Sequence, residues 1–349
     1  MAWRSMGTGR LGRTVIATGV ALVFGIPPVG CTTVVTDSGS DPSPGVLNTT
    51  LPSIVGGIPG RAPTIAGCSI FPDDNWWNRD VSAETVDPLS SAYVASIDSD
   101  PDADHDAAGR AVLHADFGSQ PDWGMPYVTV PSTQPLLPIT FTEYGSESDP
   151  GPYPIPLDAP VESGSDRHVI VLQSGACKLY ELYHARRNDA GWDAGAGAVF
   201  DLSSNTLRPE MWTSTDEAGM PVLPGLVRYD EVETGSITHA LRFTIGTSGR
   251  GFVPPARHYG TSSAPNVPPM GARLRLKAAF DVSNYSGHAR VILTALKRYG
   301  MLVADTGHSW FISGTTDPRW VDEDLDQLKT VPGSAFEVVT TGTITRPGS

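Results

Sequence analysis

Short runs of β-branched and aromatic residues, separated by turn formers, recur along most of this chain. "MPYVTVP", "LPITFTEY", "RHVIVLQ", "CKLYELYHA", "AGAVFDL", "GLVRYDEV", "SITHALRFTI", "ARLRLKAAFDV", "MLVADT", "SWFISG" and "FEVVTTG" each read as a short strand. Three segments carry a helical period instead. "DPLSSAYVASIDS" places apolar residues at 89, 93, 94 and 97 behind Asp87 as a cap. "SGHARVILTALKRYG" places them at 289, 292, 293 and 296 and closes on Gly300. "VDEDLDQLKT" is the third. This pattern predicts a mainly β fold, a single large β-sandwich or irregular barrel with a few short helices. No internal repeat interrupts it.

The pattern changes at the N-terminus. "MAWRSMGTGRLGR" carries Arg4, Arg10 and Arg13, and "TVIATGVALVFGI" follows as an apolar run too short to span a bilayer comfortably. Residues 1–31 are therefore expected to be a signal peptide. Gly30-Cys31 is similar to a lipoprotein cleavage site, which makes Cys31 the candidate for lipidation, although Pro28 stands where such sites usually have Leu. Residues 32–63 are rich in Ser, Thr, Gly and Pro and nearly uncharged, as a flexible linker would be. A single β-rich domain is expected over 64–345. The protein is thus expected to be secreted or held at the cell surface, meeting the membrane only through an N-terminal lipid.

Composition narrows the partners. In 349 residues there are 31 Pro and 37 Gly, which favour turns and short strands, and the net charge of −14 argues against nucleic acid. In an exported chain Cys68 and Cys177 are expected to form a disulfide, closing a loop of about 110 residues. No cofactor is expected. "GTSGRG" lacks the Lys of a phosphate-binding loop, no nucleotide-binding or G-x-S-x-G motif occurs, and the single D-T-G at 305–307 reads as a hairpin turn.

The segments "FPDDNWWNRDVS", "SDPGPYPIPLDAPVE", "DRHVIVL", "AVFDLSSNTLRPEMWTSTDEAGMPVLPGLVRYDEV", "PPMGARLRLKAAFDVS" and "VILTALKRYGMLVADTGHSWFISG" carry a resemblance. The chain resembles, over about residues 68–340, a family of secreted bacterial proteins with no assigned activity. The resemblance implies export and a single domain.

The chemistry has to come from the residues. "LVRYDEVETGSITHALRF" reads as a hairpin turning at Thr234-Gly235. That register sets Val232 against Ile237 and Asp230 against His239, an acid and an imidazole on a largely apolar face. Such a pair is either a general acid/base unit or a structural pair. On the same strand Glu231 and Glu233 would lie about 6.6 Å apart, within the range of paired glycosidase carboxylates. A second hairpin, "HVIVLQSGACKLYELYHA", turns near Ser174-Gly175 and sets Glu181 among Tyr180, Leu182 and Tyr183. Ahead of it, five prolines between Pro150 and Pro160 lead to Asp166, Arg167 and His168, as a cleft wall or a rigid edge cover would. For metal, His114 and Asp116 with His168, His239 or His258 could form a site, although no established metal-binding motif occurs.

Seven Trp residues in the domain, several in Asn-, Asp- and Gly-rich loops, suit sugar rings as well as a core. The expectation is a carbohydrate-active enzyme, a glycan hydrolase or lyase, acting on a polysaccharide or cell-surface glycan. The catalytic candidates are Asp230, His239, Glu181 and Glu231; the substrate-binding candidates are Arg167, His168, Arg242, His258 and Trp123. The alternatives are a non-catalytic glycan-binding module and a metal-dependent hydrolase of another substrate class.

Overall fold

The structure, a computed structural model, describes residues 61–340 and 342–348. The expected signal peptide, the lipidation at Cys31 and all but the last few linker residues lie outside this range. Among the described residues the regular structure is mostly strand, in several separate sheets with a few short helices, and the strands do not close into one barrel. The first strand begins at Thr64.

A six-stranded mixed sheet runs in the order Phe336–Val339, Arg273–Leu276, Met301–Thr306, Leu241–Ile245, Phe311–Ser313, His114–Asp116. Leu241–Ile245 pairs parallel with Met301–Thr306 and antiparallel with Phe311–Ser313, so it lies between them. The D-T-G at 305–307 is therefore not the hairpin turn expected from the sequence. A four-stranded sheet runs Ala196–Asp201, Lys178–Tyr183, Val169–Gln173, Tyr127–Val130. Here the expected hairpin is present, with Gln173 opposite Lys178 and Ile170 opposite Glu181.

The strand Val169–Gln173 is buried throughout. Its uninterrupted apolar run reflects two covered faces. Ile170 and Leu172 join the main core with Phe243, Leu274 and Met301 of the six-stranded sheet. Val169 and Val171 join a second core with Tyr153, Ile155 and Ala159. The proline-rich segment thus covers a sheet face, with Tyr153 and Ile155 as its anchors. Cys68 and Cys177 are bonded, S–S 2.07 Å, over a sequence separation of 109.

Four α-helices are present among the described residues: α1 (Ser90–Asp98), α2 (Tyr229–Thr234), α3 (Gly287–Arg298) and α4 (Asp322–Asp326). In α3 the expected stripe of Ala289, Ile292, Leu293 and Leu296 is buried. In α1 Tyr93, Val94 and Ile97 are buried while Leu89 stays exposed. Gly300 ends the α3 segment at φ +66, where a Cβ would stand 2.2 Å from the Leu274 carbonyl oxygen.

The segment "YDEVET" is helix α2, where the sequence reading has a strand. Thr234-Gly235 is a helix end: Gly235 is left-handed at φ +84, and its amide donates back to Val232 at 2.9 Å. Asp230 and Glu231 occupy the first turn, where acids favour the helix dipole. A Thr-Gly pair after an apolar residue serves a hairpin turn or a helix terminus equally well. Val232 and Ile237 do both reach the core, but from a helix and a loop.

Candidate active site

The six-stranded sheet lines up a row of polar side chains. Continuing the pairing of Phe243 with Ile312 puts Arg242 beside Ser313, and Arg242 Nη1 donates to Ser313 Oγ at 2.7 Å. Ser313 is in register with Asp116 on the next strand. On the other side, the register with Met301–Thr306 shifts between Phe243 and Thr244 and leaves Ala304 unmatched. Such a bulge re-aims the following side chain. Asp305 Oδ2 then stands 3.8 Å from Arg242 Nη2, with Asp216 Oδ2 3.7 Å from the same nitrogen.

Asp216 arrives on the segment 213–220, which is tied down from several sides. Its own Oδ1 accepts from the Met220 amide at 3.1 Å, and Ser214 Oγ donates to the Met220 carbonyl at 2.6 Å. Glu181 anchors the segment from the four-stranded sheet. Its carboxylate accepts from the Val222 and Leu223 amides and from Thr215 Oγ1, all at 3.0 Å. Asp216 Oδ2 is buried and makes no hydrogen bond among the described residues; its neighbour is the Arg242 guanidinium.

The proline-rich segment delivers Glu162. Glu162 and His168 close a short loop between them, and His168 Nε2 meets the Thr215 carbonyl at 2.8 Å. At the strand entrance Arg167 has a positive φ of 49°, uncommon for a side chain of its size. The next strand accommodates that turn: the His184 and Ala185 amides donate to the Asp166 and Arg167 carbonyls. Arg167 Nε donates to the Ala185 carbonyl at 3.0 Å.

The electrostatics divide these acids into two groups. Burial is the main cause that pushes Asp216 up to about 8 and Asp305 up to about 7, against the pull of Arg242. Burial, then the charge of Glu162, raises Asp116. Burial also raises Glu217 and Glu181. Glu162 goes the other way. Burial works against its charge, but His168 and then Arg242 outweigh it and hold the carboxyl below its usual range. Burial opposes the His168 imidazolium, yet Glu162 lifts it to about 9.

Accessibility separates them again. Asp216 is wholly enclosed, whereas Asp116 is exposed and Glu162 is 15% exposed at its side chain. Asp116 thus brings the cluster to the surface. The charge of Asp166 reaches Asp116, His168, Tyr183 and Asp305, which puts it beside the same cluster.

The residues singled out in the sequence fare unequally. Asp230 and His239 do not face each other, as they would across a hairpin. Asp230 is exposed on α2, 3.5 Å from Arg228. His239 is buried, with Nε2 3.1 Å from Glu231 and Nδ1 2.8 Å from the Ala240 carbonyl. Glu231 lies between Arg228 and His239, which hold its carboxyl down against burial. A helix turns Glu231 and Glu233 apart, and Glu233 is exposed near Arg319. Glu181 is enclosed and saturated by hydrogen bonds, so it positions the 213–223 segment rather than meeting a substrate.

Arg242 and His168 stand in the acidic cluster. His258 is half-buried, 3.0 Å from the Glu217 carbonyl and stacked on Tyr259. Trp123 is 36% exposed, while Trp77, Trp192 and Trp310 are fully buried core residues. His114 pairs with Asp104 and stacks on Phe311 at 4.2 Å. Among the described residues no three His, Cys, Asp or Glu side chains gather as a metal site would require.

Asp166 was singled out with Arg167 and His168, and Asp305 only as part of a turn; Glu162, Asp216 and, outside metal chemistry, Asp116 were not. Their meeting depends on strand order and on the bulge, which local patterns do not encode. No family model, no curated protein and no solved structure matches the chain.

Proposed function

We propose that the protein is a secreted or surface-held carbohydrate-active enzyme that hydrolyses glycosidic bonds at the acidic cluster around Arg242. The observation that carries this reading is the pairing of Asp116 and Glu162, two accessible carboxyls whose surroundings drive their protonation in opposite directions. Glycoside hydrolysis needs one carboxylic acid that gives a proton to the leaving oxygen. It also needs one carboxylate that takes a proton from water or attacks the anomeric carbon. Asp116, raised, is suited to the first task and Glu162, held ionised by His168, to the second.

Asp305 and Asp216 keep negative charge low around Arg242 while they hold protons. His168 and Arg242 fix the charge of Glu162. Tyr183 and Asp166 stand beside the cluster as partners for sugar hydroxyls.

The pairing of the cations favours hydrolysis over elimination. A lyase acting on a uronate neutralises the substrate carboxylate with cations. Here Arg242 is engaged by Ser313, Asp216 and Asp305, and His168 by Glu162, so a neutral glycan is the better match. The two larger sheets, joined by one core, are read as the layers of the expected sandwich. The disulfide supports an oxidising compartment. Incubating the protein with a panel of neutral polysaccharides, and assaying reducing ends, tests the reading.

A further inference from the structure

We infer that Ser313 sets the working state of the acidic cluster: it holds the Arg242 guanidinium among Asp216, Asp305, Asp116 and Glu162 and keeps it from closing on any one of them. Ser313 is itself buried and acts through Arg242, so it is a positioning residue. Its part in catalysis rests on the hydrolase reading; its effect on the carboxyls does not.

The sequence places the hydroxyl where it can do this. Along Phe311–Ser313 the side chains alternate, so Ile312 enters the core while Ser313 shares the opposite face with Arg242 and Asp116 on the flanking strands. The backbone beneath is fixed: the Val227 amide donates to the Ser313 carbonyl at 3.0 Å, and the Met125 amide to the Gly314 carbonyl at 2.9 Å. The stem of Arg242 is pinned as well, since a Cβ on Gly225 would stand 2.9 Å from the Arg242 Cβ. The head is held more lightly. Among the described residues its one hydrogen bond is the 2.7 Å bond to Ser313 Oγ, and Nε is buried without a partner.

The acids beside that head stand just out of reach. Asp216 Oδ2 at 3.7 Å and Asp305 Oδ2 at 3.8 Å from Nη2 attract the guanidinium without hydrogen-bonding to it. A swing of about 1 Å would close a charge-assisted bond to either. The titratable groups around Asp305 are Arg242, Asp216 and Glu217, Asp166 and Tyr183, and Arg242 is the one cation in that set. A closed bond would favour the ionised carboxyl, against the burial that now holds Asp305 at about 7. It would also commit to one carboxyl the charge that now reaches Asp116 and Glu162.

The test is an NMR titration of the aspartate side-chain carboxyls in the intact protein, with Asp305 identified by the loss of its signal in Asp305→Asn. In Ser313→Ala the Asp305 midpoint should fall by about one pH unit or more, about a tenfold or greater rise in its ionisation constant. Ser313→Cys, close in size but a weak acceptor, should behave in the same way. Ser313→Thr keeps the hydroxyl and suits a strand, and should keep the wild-type midpoint. An unmoved midpoint in the Ala and Cys variants, or a fallen one in Ser313→Thr, would overturn the proposal. With an active wild type, the basic limb of the Ser313→Ala pH–rate profile should fall with the midpoint, and a limb that stays would overturn the catalytic part. The titration needs no substrate, so a wild type that cleaves no glycan would end the hydrolase reading and leave the effect on the carboxyls standing.

Discussion

Glu162 and His168 hold each other from both sides. The Glu162 amide donates to the His168 carbonyl at 2.9 Å, the His168 amide donates to Glu162 Oε2 at 3.1 Å, and His168 Nδ1 lies 2.6 Å from that same oxygen. The loop between them is closed by this exchange, so the carboxylate is oriented and charged by one partner.

That pairing predicts a stability that depends on pH. His168 is raised to about 9 in the folded chain, above its ordinary value of about 6.5. Its contribution is fully present below about pH 6.5 and is lost as pH rises toward about 9, on the order of 3 kcal/mol in all. Glu162, whose carboxyl is lowered, contributes above its ordinary value and loses that contribution on acidification. Glu162→Gln should lower stability by about 3 kcal/mol near neutral pH and flatten the decline above it. Denaturant titrations at several pH values check this; a wild-type curve flat from pH 6 to 9 would refute the pairing.

Asp305 gives a second pH prediction. Burial is the main cause of its rise to about 7, and Glu217 is the leading like charge beside it. Removing that charge in Glu217→Gln should lower the Asp305 carboxyl. If the acids around Arg242 set the protonation state needed for catalysis, the basic limb of the pH–rate profile should move to lower pH. An unmoved limb would detach Asp305 from the reaction.

Glu181 and Asp230 are expected to separate structure from chemistry. Glu181→Ala leaves the Val222 and Leu223 amides without an acceptor in the interior, and should cost roughly 2–5 kcal/mol. Asp230→Ala, on an exposed helix turn, should change stability by no more than about 0.5 kcal/mol and leave activity intact. Thermal melts of both variants decide it. A large loss of activity in Asp230→Ala would restore that residue to the site.

The disulfide makes a prediction about the unfolded chain. A link across 109 positions restricts it by at most about 4–5 kcal/mol in the chain-entropy model. Cys68→Ser should lose stability up to that amount in denaturant titration, and no change would show that the link leaves the unfolded ensemble unrestricted.

Local features were legible in the sequence where a single period or a single pair determined the outcome. The stripe of α3, the hairpin around Ser174-Gly175 and the Cys68–Cys177 pair are of that kind. The hairpin around Thr234-Gly235 was not, because a left-handed Gly closes a helix as readily as it turns two strands. That ambiguity misplaced Asp230 and His239 together. The candidate site was legible in Arg242, His168, Asp166 and, through a different chemistry, Asp116. Asp305 depends on an unmatched residue between two strands 60 positions apart, and Glu162 on a loop closed by His168. Both relations are tertiary.

The most direct test of the proposed hydrolysis is the release of reducing ends from neutral polysaccharides by wild-type protein, Asp116→Asn and Glu162→Gln, with absorbance of unsaturated products followed in the same samples. Wild type should release reducing ends without unsaturated products, and each variant should be slower by about a hundredfold or more. Release by Asp116→Asn at the wild-type rate, or unsaturated products from the wild type, would contradict the assignment of Asp116 and Glu162 as the acid and the base of a hydrolase.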